Sequence, residues 1–276
     1  MCDLKHLLYK LTVVALIFQW LPCCYASFIR MNTTPHGFLS GDQVSLLVES
    51  ENMGDENALK VKFEAMFSGT PQLSPVIEKM EPNAKIDHSF EWKLADSSKY
   101  RQLVIPVVTH YSDANLYPFS SVTYALVVAD TNPSETIVGK TATLSMTDHG
   151  ALVMQFRSLD DSSRELTLRV VAPKEIAVHP SSLQIKVPAS GEGSAEFSVS
   201  NFSALPSSSY ALLIIAAEQR ADGIVETPLM GRVIIVNRYD QLRANLNWIA
   251  PSAIVFLLFV YGIMWVNQRK ARRKAA

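Results

Sequence analysis

Apolar and polar residues alternate along most of the chain between residues 27 and 237. Alternation with a period of two places one face of a β-strand in a core and leaves the other in water. No stretch of this region keeps the spacing of an amphipathic helix over three turns. We interpret as strands the runs Val44/Leu46/Val48, Val61/Phe63/Ala65, Ile86/Phe90/Trp92/Leu94, 103–108, 122–128, Leu152/Met154/Phe156, Leu166/Leu168/Val170, Leu183/Ile185/Val187, Ala195/Phe197/Val199, 211–217 and 232–236.

Turn-rich breaks separate these runs at residues 52–57, 68–75, 82–85, 130–135, 188–193 and 205–209. Many short strands at regular spacing are typical of β-sandwiches. Asp130 to Pro133 end one series of strands, and Asp148-His149-Gly150 opens the next. The sequence therefore predicts an all-β protein with two immunoglobulin-like β-sandwiches, at 27–147 and 148–237, followed by a single C-terminal transmembrane helix.

The transmembrane helix is predicted from an uncharged run at residues 248–266. At about 1.5 Å per residue this run reaches the hydrocarbon thickness of a bilayer, about 30 Å. Residues 238–247 form a linker before it, and 267–276 form a basic tail. Because excess basic residues mark the cytoplasmic side, the sandwiches are expected in the periplasm, outside the cell or in a lumen. The predicted membrane anchor comprises Trp248 and Trp265 at the interfaces and Arg269, Lys270, Arg272, Arg273 and Lys274 in the tail.

The N-terminus has the organisation of a secretory signal peptide at residues 1–26. Lys5 and Lys10 precede a short apolar run, and small residues stand before the expected cleavage site at Ser27. An uncleaved N-terminal anchor is the alternative. All three cysteines lie in this segment, so the mature chain is expected to have no disulfide and to depend on its core for stability.

Charge is unevenly distributed along the chain. The formal net charge is −1, but residues 27–247 contain 18 basic and 25 acidic residues and are therefore near −7. Binding of nucleic acid requires a basic footprint, so nucleic acid is not expected as a partner.

The search for catalytic or metal-binding patterns points to a protein without enzymatic activity or cofactor. Histidines of the mature chain are scattered, without the short spacing of metal ligands. Asp113 and Asn115 are weak candidates for a Ca²⁺ site, but Pro118 stands where the calcium loop needs glycine and Tyr124 replaces its closing acid. A hairpin turn is the favoured interpretation of this segment. Asn32 and Asn201 begin two triplets that permit N-glycosylation.

Two stretches resemble known modules. Ala172-Pro173-Lys174, the run from Val178 to Leu183 and that from Val187 to Gly191 resemble the bacterial immunoglobulin-like domains found beside carbohydrate-binding domains of alpha-galactosidases and in archaeal and bacterial surface proteins. Gly41-Asp42-Gln43-Val44 and the run from Asn52 to Ala58 resemble an adhesion-type sandwich. The resemblance implies an envelope protein with spacing and binding modules rather than catalysis.

Three functions remain open at this point. The first is an accessory subunit of an envelope complex that binds an unknown protein partner, with residues 178–187 and 194–199 as candidates for edge-strand pairing. The second is a carbohydrate- or cell-wall-binding module. The third is a subunit of the secretory pathway, similar in layout to the translocon-associated alpha subunit. A carbohydrate platform would draw on Trp92, Tyr111, Tyr117, Phe119 and Tyr124.

Overall fold

The computed structural model describes residues 28–129, 135–237 and Ser252. Within these residues no helix is long and apolar enough to cross a membrane. The predicted signal peptide, linker, transmembrane helix and basic tail lie outside the described residues, apart from Ser252.

Strands dominate the described part of the chain, and the prediction of an all-β protein is confirmed. One short 3₁₀ helix, Ser97–Lys99, precedes the seventh strand. The strands are β1 (Met31–Ser40), β2 (Gln43–Asn52), β3 (Ala58–Phe67), β4 (Thr70–Leu73), β5 (Ile77–Met80), β6 (Lys85–Lys93), β7 (Tyr100–Ser112), β8 (Pro118–Val128), β9 (Ile137–Lys140), β10 (Thr143–Met146), β11 (His149–Ser158), β12 (Arg164–Val171), β13 (Ile176–His179), β14 (Ser182–Val187), β15 (Glu192–Asn201), β16 (Ser209–Arg220) and β17 (Gly223–Ile235).

The first sandwich packs a three-stranded sheet, β1-β2-β6, against the strands β3, β4, β5, β7 and β8. The alternating residues of β2, β3 and β6 supply its core, as their pattern predicts. Trp92 stacks on Phe67 and Phe90 in this core, with ring centroids 5.3 and 5.8 Å away. Fully buried members of the core are Val44, Leu46, Val48, Phe63, Ala65, Ile105 and Val107.

The second sandwich packs a four-stranded sheet, β13-β15-β11-β9, against β10, β12, β14, β16 and β17. Its core includes Leu152, Phe156, Phe197 and Leu212. β9 pairs with β11, and β10 pairs in parallel with β17. The structure therefore places residues 137–146 in the second sandwich, whereas the boundary drawn from the sequence at 147/148 assigns them to the first. Residues 130–134, which lie between the two strand series, are outside the described part.

The two sandwiches share one ten-stranded sheet. β17 of the second sandwich pairs in parallel with β7 of the first, through Ile224↔Tyr100 and Val225↔Gln102. β7 also pairs with β8 along nearly the full length of β7, and the C-terminal half of β7 pairs with β3. An apolar cluster fills the junction and joins β7 and β8 to β12 and β16. Its buried members are Val104, Val108, Val122, Val171, Leu213 and Ile215.

Candidate protein-binding edge and interdomain cleft

The segment 178–187, predicted as a candidate for edge pairing, lies at sheet edges. β13 ends the four-stranded sheet, and β14 ends the ten-stranded sheet. The other candidate segment, 194–199, lies in β15, which has β11 on one side and β13 on the other. Its backbone is therefore largely used within the sheet. The structure thus leaves 178–187 as the candidate edge.

The backbone of β14 offers hydrogen-bonding groups on its outer side. The Val170 amide donates to the Ser181 carbonyl oxygen at 2.9 Å, so Ser181 points toward β12. Backbone groups of successive residues in an antiparallel strand point to alternate sides. Ser182, Gln184 and Lys186 therefore direct their amide and carbonyl groups away from β12, and no strand of the described residues pairs with them. We call this outer side the β14 edge.

Aliphatic side chains beside this edge are incompletely covered. Leu183 and Ile185 of β14 pack against the core of the second sandwich but stay only partly buried. A strand added to the β14 edge would remove more of this apolar surface from water, at about 25 cal/mol per Å². The edge therefore combines free backbone groups with apolar surface, as strand addition requires.

Beside the edge, the junction contains a buried carboxylate. Glu175 is only 2% exposed, and its two carboxylate oxygens accept hydrogen bonds from the Ser120 amide at 2.6 Å and the Ser120 hydroxyl at 2.5 Å. The Lys174 amide donates to the same hydroxyl at 2.8 Å. These bonds connect β8 to the turn before β13. Since a buried charge is costly unless it is hydrogen-bonded, they hold the two sandwiches in one arrangement here.

A cavity of about 370 Å³ opens at this junction. We call it the basic cleft, because Lys60 and Lys62 of the first sandwich and Lys174 of the second line it together with His110. A second groove of about 450 Å³ adjoins it, shares His110 and Lys174, and reaches Ser181 and Ser182 at the start of β14. The cleft and the β14 edge are thus parts of one continuous surface.

The surroundings of His110 reflect the positive charge of the cleft. His110 Nε2 lies 2.8 Å from Glu64 Oε2. Burial nevertheless lowers the pKa of His110 below 6.5, and the charges of Lys174 and Lys62 lower it further, against the effect of Glu64. The imidazole is therefore held more readily in its neutral form.

Aromatic side chains form one wall of the cleft. Tyr111 stacks on Phe119 at 5.5 Å, and the Tyr117 hydroxyl donates to the Ser203 carbonyl oxygen across the junction. Burial raises the pKa of Tyr111 to about 12. Phe202, in contrast, is 82% exposed, the largest value among the exposed large apolar side chains of the described residues. Of the aromatic residues considered for a carbohydrate platform, Trp92 is buried in the core of the first sandwich.

Asp113 and Asn115 lie in the turn between β7 and β8. Asp113 Oδ1 accepts hydrogen bonds from the Asn115 amide at 2.9 Å and the Tyr117 amide at 2.8 Å. This carboxylate therefore stabilises the turn, with Leu116 in the left-handed region at φ +62°. Among the residues that the structure describes, no group of three or more His, Cys, Asp or Glu side chains is placed to bind a metal ion.

The two glycosylation triplets differ in their surroundings. Asn32 is exposed on β1. The Asn201 amide nitrogen donates to the carbonyl oxygens of Thr147 and Ala204, each at 3.2 Å, and its side-chain oxygen accepts from the Ala204 amide at 2.7 Å. A glycan on Asn201 would displace a hydrogen from this network, which favours Asn32 as the better acceptor.

A second charged cluster lies inside the second sandwich. Glu218 is 4% exposed, and its Oε2 accepts hydrogen bonds from Thr136 and Arg220, each at 2.8 Å. Arg164 Nη1 lies 3.0 Å from Glu218 Oε1, and Arg164 Nη2 forms an ion pair with Asp160. The hydrogen bonds on Oε2 and the ion pair of Oε1 with Arg164 make this buried carboxylate a link between the β8–β9 connection, β12 and β16.

No family model matches the chain, and no curated protein matches it. Solved structures that match include all-β domains. E. coli alpha-2-macroglobulin in its native conformation is 8% identical, with a TM-score of 0.31, over 75% of this chain and 17% of its own. A protein of unknown function from Porphyromonas gingivalis W83 is 9% identical, with a TM-score of 0.30, over 74% of this chain and 99% of its own. WR4, a C. elegans MSP family member, is 16% identical, with a TM-score of 0.27, over 37% of this chain and 100% of its own. Similarity at this level gives no information on function.

The sequence pattern missed the basic cleft. Lys60 and Lys62 alternate with the apolar residues of β3 and read as ordinary solvent-facing positions. Lys174 follows a proline in a turn, more than one hundred residues away. Only the pairing of β7 with both β3 and β17 brings these lysines to one junction. No short sequence pattern therefore marks the basic cleft.

Proposed function

We propose that this protein is a non-enzymatic, single-pass membrane protein that presents its two sandwiches outside the cytoplasm to bind another protein. The partner pairs an extended segment with the β14 edge. The protein then serves as an accessory subunit of an envelope complex, tethered by residues 248–266.

The observation that supports this proposal best is that outward backbone groups and partly exposed apolar side chains occur together at the β14 edge. Ser182, Gln184 and Lys186 direct backbone groups outward, and Leu183 and Ile185 beside them are only partly buried. Unpaired backbone groups at an exposed edge form a template for another strand. In β-augmentation, main-chain hydrogen bonds provide affinity, and partly covered apolar side chains add buried area.

The proposal is tested with the full-length tagged protein, gently crosslinked in its native membrane and purified by its tag. Mass spectrometry then identifies what is recovered with it. Gln184→Pro removes one outward amide while leaving the pairing of β14 with β12 intact. We expect a stoichiometric protein partner with the wild-type chain and about tenfold less of it with Gln184→Pro, equivalent to about 1.4 kcal/mol.

Ser89→Pro is the matched control. The Leu94 amide donates to the Asp42 carbonyl oxygen, so residues of β6 an even number of positions from Leu94 direct their backbone groups toward β2. Ser89 lies five positions away, and its amide therefore points away from β2, on the free side of β6. Partner recovery with this variant should match that of the wild type. Equal losses with both proline variants would contradict the proposal. Recovery of the protein alone, with the full-length chain retained on purified cell-wall polysaccharide, would favour a carbohydrate-binding module instead.

A further inference from the structure

Positive charge is concentrated at the basic cleft in a protein whose predicted external part is acidic. Lys60, Lys62 and Lys174 line the cleft, and none of the three takes part in an ion pair among the described residues. Three lysines elsewhere, which are at least half exposed, do have carboxylate partners within 4 Å: Lys79 with Glu81, Lys85 with Glu51, and Lys99 with Asp96. Lys93, Lys140 and Lys186 also have no ion pair among the described residues, so the lysines of the cleft are distinguished by the fact that three of them line one cavity.

Carboxylates that line the cleft and the adjoining groove are already engaged. Glu175 accepts two hydrogen bonds from Ser120, and Glu64 contacts His110. Lys62, Lys174 and His110 line the same cleft, and the charges of both lysines contribute to lowering the pKa of His110. Three lysines beside two carboxylates that already have partners leave a local excess of positive charge, which an anion would offset.

The backbone at Lys60 is unusual. This residue has φ +52°, in the left-handed region that residues other than glycine seldom adopt. It lies where the pairing of β3 with β7 shifts register, between Leu59 and Lys62. β-Bulges of this kind redirect side chains and occur often beside functional sites. The backbone distortion and the uncompensated charge are independent observations at the same wall of the cleft.

We infer that the basic cleft binds an acidic, extended segment of the partner protein. Carboxylates of that segment contact Lys60, Lys62 and Lys174, and an apolar side chain of it covers the exposed Phe202. This inference rests on the proposed function, because the groove that joins the cleft to Ser182 lets one segment occupy both the cleft and the β14 edge. The edge provides affinity through backbone bonds, and the cleft selects for acidic sequence.

The test uses the full-length protein in a neutral detergent. The probe is a fluorescent peptide of about ten residues, one strand length, in which valine and threonine alternate with glutamate. We expect measurable binding by fluorescence anisotropy that weakens as salt is added. The double variant Lys62→Ala/Lys174→Ala should weaken binding at least about tenfold. Lys62→Gln/Lys174→Gln, which keeps more of the side-chain volume, should do the same.

Lys140→Ala is the control, because Lys140 is an exposed lysine of β9 and does not line the cleft. Its affinity for the probe should equal that of the wild type. Failure of the acidic peptide to bind at about 1 mM, or equal binding to the lysine variants, would overturn the inference. Competition by phosphatidylglycerol added as mixed micelles with the same detergent, but not by unlabelled acidic peptide, would also overturn it, since it would assign the cleft to lipid phosphates.

Co-purification separates this inference from the proposed function. If Gln184→Pro removes the partner but Lys62→Ala/Lys174→Ala does not, the edge binds the partner and the cleft inference is wrong. If neither variant changes the recovered partner, both are wrong. Loss with each of the two variants, together with full recovery for Lys140→Ala, is the result that both proposals predict.

Discussion

β6 and β14 are both edge strands, one in each sandwich, but their outward positions differ in charge. β6 carries Lys85, Asp87, Ser89, Glu91 and Lys93 on its solvent face, so four of its five outward residues are charged. β14 carries Ser182, Gln184 and Lys186, with one charge. Charged side chains along an edge discourage pairing with another chain. The comparison indicates that β6 is protected against strand addition and β14 is not.

Apolar residues behind the two edges differ in the same sense. Phe90 and Trp92 of β6 are 4% and 9% exposed and stack on each other in the core of the first sandwich. Leu183 and Ile185 of β14 are only partly buried. Of the three apolar residues in each strand, only Ile86 of β6 is partly buried, whereas two of β14, Leu183 and Ile185, retain apolar surface for a partner to cover.

The largest expected difference between the edges is in stability. Phe90→Ala should lower the free energy of unfolding by about 3–5 kcal/mol, because it empties a packed site. Ile185→Ala should lower it by about 1 kcal/mol, because part of this side chain is already in water. Urea unfolding of the full-length protein in detergent measures both changes. Equal losses would show that β14 is as fully packed as β6.

A smaller effect is expected when the charge of β6 is transferred to β14. Gln184→Glu should reduce partner recovery about three- to tenfold, since a carboxylate at the edge would repel an acidic segment and would have to be partly desolvated by an added strand. Ser89→Glu places the same side chain at an outward position of β6 and should leave recovery unchanged. Quantitative mass spectrometry of the crosslinked complexes measures both variants. A similar decrease for both would remove the distinction between the edges.

The smallest effect is a dependence of stability on pH at the junction beside β14. The pKa of His110 is lowered below 6.5, mainly by burial, so the unfolded chain binds more protons near this pH. The free energy of unfolding should therefore be fully retained above pH 6.5 and decrease as pH falls below it. His110→Gln should flatten this part of the curve in urea titrations. An unchanged slope in the variant would assign the dependence to other groups.

Strands with a buried face were predictable from the sequence. β2, β11 and β15 alternate along their length, β3 alternates from Val61 onward, and β6 does so apart from His88; their apolar positions form the two cores. β1 gave no such signal, because none of its ten residues is fully buried and it contains Pro35 and Gly37. Proline is tolerated there because β1 is an edge strand. The short strands β4, β5, β9 and β10 were missed because four residues give too few alternations to recognise.

The candidate edge was only half predictable. Residues 178–187 and 194–199 have similar alternation, and that pattern contains no information about which strand has neighbours on both sides. The order of strands in the sheets distinguishes the two segments, because β14 ends its sheet and β15 lies between two other strands. The bonds of Ser120 with Glu175 and Lys174 span 54 to 55 residues, and the cleft joins lysines more than one hundred residues apart, which local patterns do not encode.

Hydrogen exchange at single amides tests most directly whether β14 is the binding edge. The full-length protein is measured alone and in its purified complex with the recovered partner. The amides of Ser182, Gln184 and Lys186 should exchange quickly in the free protein and slowly in the complex, while those of Leu183 and Ile185 stay slow in both. The outward amides of β6 should not change. Unchanged exchange at Ser182, Gln184 and Lys186 in the complex would contradict the account.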